Sequence, residues 1–166
     1  SIAQPVRQKN QGTKVKRIGI WGFGCVGRSV AHYLVRTYQA PAGIIEQRMP
    51  SEEEAKFCSQ FSITWVVQSA DSLERFWTDH DHIVISPGID SRVWAQRFPE
   101  KIVSELDIFA DAFAARSRAV PLIAITGTVG KTTITHLTGA LAQSVGKKVF
   151  IGGNIGVGML DAVDDE

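Results

Sequence analysis

Cysteine is scarce in this 166-residue chain, which holds only Cys25 and Cys58. The two sit in unlike contexts with no metal-ligand spacing, so both are expected as reduced thiols rather than a disulfide. An excess of charge of either sign is also missing. Eighteen Lys and Arg against seventeen Asp and Glu leave a formal net charge of +1. That is too small a field to mark nucleic acid or an anionic membrane as a partner. No apolar run approaches the roughly 20 residues that a bilayer-spanning helix needs. The first sixteen residues, SIAQPVRQKNQGTKVK, carry Arg7, Lys9, Lys14 and Lys16 but no apolar h-region. They read as a basic tail, not a secretory signal, and the chain is expected in the cytoplasm. The histidines His32, His80, His82 and His136 are scattered without the spacing of a zinc site. The chain starts at Ser1 and stops at DAVDDE, which leaves open that it is a piece of something longer.

The hydrophobic share, 44%, is that of a globular protein, and the length suits one domain or one domain and part of another. From Arg17 onward, short apolar runs alternate with amphipathic segments. RIGIWG, AGIIE, ITWVV, HIVISPG and KIVS read as strands. Between them lie helical stretches, the first with Val30, Leu34 and Tyr38 on one face and the second opened by Ser51 with Glu54 at a capping-box spacing. Glu105 to Arg116 reads as a further helix. Such alternation predicts an α/β fold, a Rossmann-like parallel sheet with helices on both faces.

The pattern then restarts as strand PLIAIT, a glycine turn, helix KTTITHLTGALAQSV and strand KKVFIG. This predicts a basic tail over 1–16, a Rossmann-like unit over 17–104 and, over 105–166, the beginning of a second α/β unit built on a phosphate loop. Two strands and one helix are too few for an independent core.

GIWGFGCVGRS holds Gly22, Gly24 and Gly27 in the G-x-G-x-x-G spacing, directly after a strand and opening a helix. Glycine allows the tight turn and close backbone approach, and the helix N-terminus offers free N–H groups to an anion. The plainer reading is a tight turn that binds nothing. Glu46, at the end of the next strand, suits a ribose hydroxyl pair, while Arg48 two residues on suits a phosphate or a base face. Cys25 reads as a small filler, having no histidine base beside it in sequence. Ser86, Pro87 and Gly88 end the fourth strand at the carboxyl edge, where ligands of such folds collect. A nucleotide fits here, and its identity stays open.

The second turn departs from G-x-x-x-x-G-K-[ST], because Ile125 stands five positions before Gly130. What remains is a shorter T-G-T-x-G-K-T-T form, Thr126 to Thr133. Backbone N–H groups from Thr128 to Thr132 suit phosphate oxygens, Lys131 suits the β/γ charge, and the Thr132 hydroxyl suits a magnesium ion. The plainer alternative is a structural turn with a solvated lysine.

The short loop, GGNIG at Gly152 to Gly156, and a Rossmann-like unit ahead of both resemble the Mur ligase family. The motif order GFGCVGRS, IIEQRM, VISPGI, SELDIF, ITGTVGKTT and GGNIG is most similar to the branch that adds D-glutamate to UDP-N-acetylmuramoyl-L-alanine. The resemblance implies a UDP-sugar domain, a central ATPase and a C-terminal domain, acting as a monomer with ATP and Mg2+. ATP would phosphorylate the substrate carboxylate, and the D-glutamate amine would attack the acyl phosphate. By this likeness Gly22, Gly24, Cys25, Val26, Gly27, Glu46, Gln47, Arg48 and Gly88 would surround the uridine diphosphate. Asn154 would contact the muramoyl substrate. Gly127, Thr128, Val129, Gly130, Lys131, Thr132 and Thr133 would hold ATP, with Lys131 and Thr132 in the catalytic role.

The family usually has Asn where this chain has Val129. The family's later acid, histidine and carbamylated lysine are not found in these 166 residues, so the expectation is binding without ligase turnover. Two other readings remain: a non-catalytic nucleotide-binding module, and an NAD-dependent oxidoreductase domain.

Overall fold

The computed structural model describes residues 16–37, 40–115, 120–153 and 157–163. The basic tail up to residue 15, Tyr38, Arg116 and Asn154 lie outside the described residues.

Five short strands form one all-parallel sheet: β1 Ile18–Trp21, β2 Gly43–Glu46, β3 Thr64–Val67, β4 His82–Ile85 and β5 Ile102–Val103. Their spatial order is β3-β2-β1-β4-β5. The register pairs Ile20 with Ile44 on one side and with Val84 on the other. Helices α1 Cys25–Thr37, α2 Glu52–Phe61, α3 Ala70–Asp79, α4 Arg92–Arg97 and α5 Glu105–Ala114 connect or follow the strands. The expected Rossmann-like sheet is present.

Side chains that alternate along the strands feed two cores. Ile20, Ile44 and Val84 face one way, into a cluster with Val30, Leu34, Cys58, Phe109 and Leu160. Trp21, Ile45 and Ile83 face the other, against Leu73, Phe76 and Trp77 of α3. Strands covered on both faces carry apolar residues at consecutive positions, which is why the sequence shows short runs rather than polar alternation.

Helix starts follow side-chain chemistry. Ser51, Ser69 and Ser104 each accept from the amide three residues on, and the side chains of Glu54, Ser72 and Asp107 accept in turn from the capping residue's amide. Only the first of these capping boxes was read from sequence.

The later segment behaves differently. Helix α6 Lys131–Ser144 forms as expected, but 121–126 and 147–152, read as strands, are not strands. A strand needs a hydrogen-bonded neighbour, and no described strand runs beside either segment. Leu122 and Ile123 are accordingly exposed, as are Ile134, Leu137 and Leu141 of α6. Met159–Val163 then forms a 3₁₀ turn that docks on α1 and α5, with Leu160 fully buried. Glu105, at the first turn of α5, accepts from the Met159 amide at 3.0 Å.

Candidate functional site

The winding of the sheet reverses between β1 and β4, so their carboxyl ends open the crevice in which this topology collects ligands. The glycine turn occupies that edge. Gly22 has φ of 89° and donates its N–H to the Ile45 carbonyl at 2.9 Å. Its own carbonyl accepts from the Ser86 hydroxyl at 2.8 Å, which ties the turn to the SPG loop after β4. A Cβ on Gly27 would stand 2.1 Å from the Gly22 oxygen, so α1 can pack this close only with glycine there. At Gly24 a Cβ would meet nothing within 4 Å, leaving that stretch of backbone open to approach.

Cys25, the first residue of α1, is exposed, and its thiol is pushed up by burial first and then by the negative charges of Glu105 and Asp161. It stays a thiol at neutral pH, and its exposure at the turn does not fit the expected filler role. Glu46 turns its carboxylate onto the turn itself: one oxygen accepts from the Phe23 amide at 2.8 Å and the other from the Gln47 amide at 2.7 Å.

A cleft of about 300 Å³ lies beside it, lined by Trp21, Glu46, Gln47, Gln68, Gly88, Ile89 and Asp90. Three of the expected residues, Glu46, Gln47 and Gly88, thus meet in one cavity. Gln68 was not read from sequence. It accepts from the Trp21 indole N–H at 2.9 Å and lies just past the end of β3. Its signal was position alone, the first residue past the carboxyl end of a strand. Asp90, held at about 2 by the guanidinium fork of Arg92, presents a carboxylate to the same cleft.

Arg48 stands apart from the cleft lining. Its guanidinium grips Glu54 at 2.6 and 2.8 Å and lies 5.5 Å over the Trp65 ring.

The second loop sits at the start of α6. Gly127 and Gly130 both adopt positive φ, and Lys131 donates its ammonium to the Gly127 carbonyl. The first helical acceptor, the Gly130 carbonyl, is taken by the Ile134 amide. The amides of Lys131, Thr132 and Thr133 therefore have no acceptor within the helix. Val129, Thr132 and Thr133 are exposed. Free amides, a lysine and a hydroxyl beside open space at Gly130 fit a polyphosphate. No group of three or more His, Cys, Asp or Glu among the described residues could hold a metal ion. A magnesium ion here would be held by the Thr132 hydroxyl, phosphate oxygens and water.

No family model matches the chain. Curated relatives do. The chain is 34% identical over 157 residues to the UDP-N-acetylmuramoylalanine–D-glutamate ligase of Buchnera aphidicola subsp. Acyrthosiphon pisum (strain Tuc7), covering 91% of this chain and 33% of that protein. The ligase of the same name from Aliivibrio salmonicida (strain LFI1238) is 32% identical over 157 residues, covering 92% and 34%. That of Legionella pneumophila (strain Paris) is 33% identical over 151 residues, covering 87% and 32%. The chain belongs to the Mur ligase family. It spans about a third of the length of the curated relatives it matches and corresponds to their amino-terminal part.

Proposed function

We propose that the chain gathers the UDP-sugar and ATP for a ligase that joins D-glutamate to UDP-N-acetylmuramoyl-L-alanine in peptidoglycan precursor synthesis. The observation that carries this is the pairing, in one Mur ligase relative, of an open glycine turn beside a cleft at the sheet's switch point with a second loop fit for polyphosphate. Gly22, Gly24, Cys25, Val26, Gly27, Glu46, Gln47, Arg48 and Gly88 would surround the uridine diphosphate, and Asn154 would meet the muramoyl group. The division at Ser104 belongs to the same proposal, with 17–104 serving the sugar nucleotide and 105–166 the ATP. Helix α5 and Met159–Val163, which pack back on α1, would form the joint.

In the second loop the amides from Thr128 to Thr132 would cradle the β- and γ-phosphates, joined by Gly127 and Thr133, and Lys131 would leave the Gly127 carbonyl to meet their charge. Magnesium, when bound, supplies neutralisation of the phosphate oxygens, and Thr132 would orient it. Transfer of the γ-phosphoryl to the substrate carboxylate would yield an acyl phosphate and ADP. Attack by the amine would then release phosphate and a proton, leaving the amide. This is catalysis by positioning and charge. Residues 1–166 by themselves are proposed to bind without turning over, as a cytoplasmic monomer. No helix among the described residues is long and apolar enough to cross a membrane.

The second phosphate loop at the start of α6, which a dinucleotide oxidoreductase domain does not call for, favours this reading over that one. The test is titration with UDP-N-acetylmuramoyl-L-alanine, ATP–magnesium and NADH, followed by tryptophan fluorescence. Trp21 lines the cleft and reports its occupancy. Saturable binding of the first two and silence with NADH is expected, whereas binding of NADH alone would overturn the assignment.

A further inference from the structure

Glu54 is an acid in an unusual place. It belongs to α2, yet its side chain is only 3% exposed and holds two arginines from different parts of the chain. Arg28, on the first turn of α1, donates from Nη2 to Glu54 Oε1 at 2.6 Å and from Nε to the Phe23 carbonyl of the glycine turn at 3.3 Å. Arg48, just past β2, donates from Nη2 to the same Oε1 at 2.8 Å and from Nη1 to Oε2 at 2.6 Å. One buried oxygen thus binds both guanidiniums and sets them side by side. Each is also braced by an aromatic ring. Arg28 lies 5.5 Å over Phe23, Arg48 lies 5.5 Å over Trp65, and the two rings meet edge to face at 5.4 Å.

The outer side of this assembly is open. Arg28 and Arg48 remain 51% and 48% exposed. Arg28 has no partner on Nη1 among the described residues and Arg48 none on Nε. Two cations against one carboxylate leave a surplus positive charge. Glu46, a further acid that acts on Arg48, already accepts from two backbone amides. Guanidiniums whose rotamers are held in advance lose little freedom on taking a bidentate anion. The adjoining α1 N-terminus adds partial positive charge.

We infer that Arg28 and Arg48, positioned by the buried Glu54, form a two-arginine clamp at the mouth of the glycine turn that takes the diphosphate of the bound nucleotide. Arg28 is thereby added to the site, and Glu54 is a positioning residue that does not touch the ligand. The cleft lined by Trp21 and Gln68 has no lysine or arginine in its wall, so it suits the uncharged part of the nucleotide while the clamp holds the charged part. This inference rests on the nucleotide reading proposed above.

Calorimetric titration of the full chain with uridine, UDP and inorganic pyrophosphate tests it, in a Lys131→Ala background so that the second loop contributes less. Arg28→Ala, Arg48→Ala and Glu54→Gln should each weaken UDP and pyrophosphate by roughly tenfold or more and leave uridine within about twofold. Circular dichroism checks that each variant is folded, and the two arginine variants carry the test if Glu54→Gln is not. If UDP binds and none of the variants weakens it, the clamp is refuted while the nucleotide reading stands. If uridine falls in step with UDP, the residues are merely structural and the clamp is again refuted. If pyrophosphate binds through both arginines but UDP gains nothing over it, the clamp stands and the nucleoside reading fails. Binding of neither UDP nor pyrophosphate to the parent chain overturns the clamp.

Discussion

Replacing Glu54 with glutamine should cost stability in a way that depends on pH. The ion pairs and hydrogen bonds from Arg48, the Ser51 amide and Arg28 hold its carboxyl at about 2, against an ordinary value of 4.5. At about 1.36 kcal/mol per unit, such a shift is worth at most about 3 kcal/mol. Glu54 is buried, but both arginines are half-exposed, so solvent screens the pairs and we expect about 2 kcal/mol. Glutamine keeps a carbonyl for the Ser51 amide, so the helix cap survives and the charge is what is removed.

Because the folded pKa is depressed, the contribution is fully present above pH 4.5 and is lost as pH falls toward 2. Urea unfolding followed by tryptophan fluorescence, run at steps from pH 7 to pH 3, measures the gap between parent and variant. The gap should be about 2 kcal/mol at pH 7 and roughly half that by pH 3. A gap under about 0.5 kcal/mol at pH 7, or one that does not change with pH, would refute the electrostatic account.

Lys131→Ala should weaken ATP–magnesium binding by roughly tenfold or more while sparing the UDP-sugar, as read by calorimetry. Gly27→Ala places a methyl 2.1 Å from the Gly22 carbonyl. It should lower stability by about 1–3 kcal/mol and weaken UDP-sugar binding as the turn is displaced, which denaturation and titration together would check. His80 is buried, donates Nδ1–H to the Phe76 carbonyl at 2.7 Å, and has its pKa lowered chiefly by burial. Its contribution is present above about pH 6.5 and is lost as pH falls below it, so His80→Gln should flatten the acid limb of the stability curve below about pH 6.5.

What the sequence by itself determined is local. The strand runs, the glycine turn after β1, the Ser51–Glu54 cap and helix α6 after Gly130 all depend on neighbours within a few residues, and each could be read from the chain. The turn chemistry at Gly22 and Gly27 was legible for the same reason, since backbone conformation and close approach admit few side chains. The caps at Ser69 and Ser104 carry the same local logic but were not read, being masked by serine and aspartate at the returning position.

Other features were decided by tertiary structure, because their partners lie far along the chain. The order β3-β2-β1-β4-β5 is a choice among pairings that apolar runs alone do not make. Gln68 became part of a site through Trp21, 47 residues earlier, and Glu54 joined Arg28 to Arg48. The segments 121–126 and 147–152 carry strand-like composition and still form no strand, since a strand exists only beside another. Leu160, in the short turn Met159–Val163, is held in the first core by packing against helices α1 and α5. Propensity sets what a segment can become, and the contacts across the fold settle which of those states it takes.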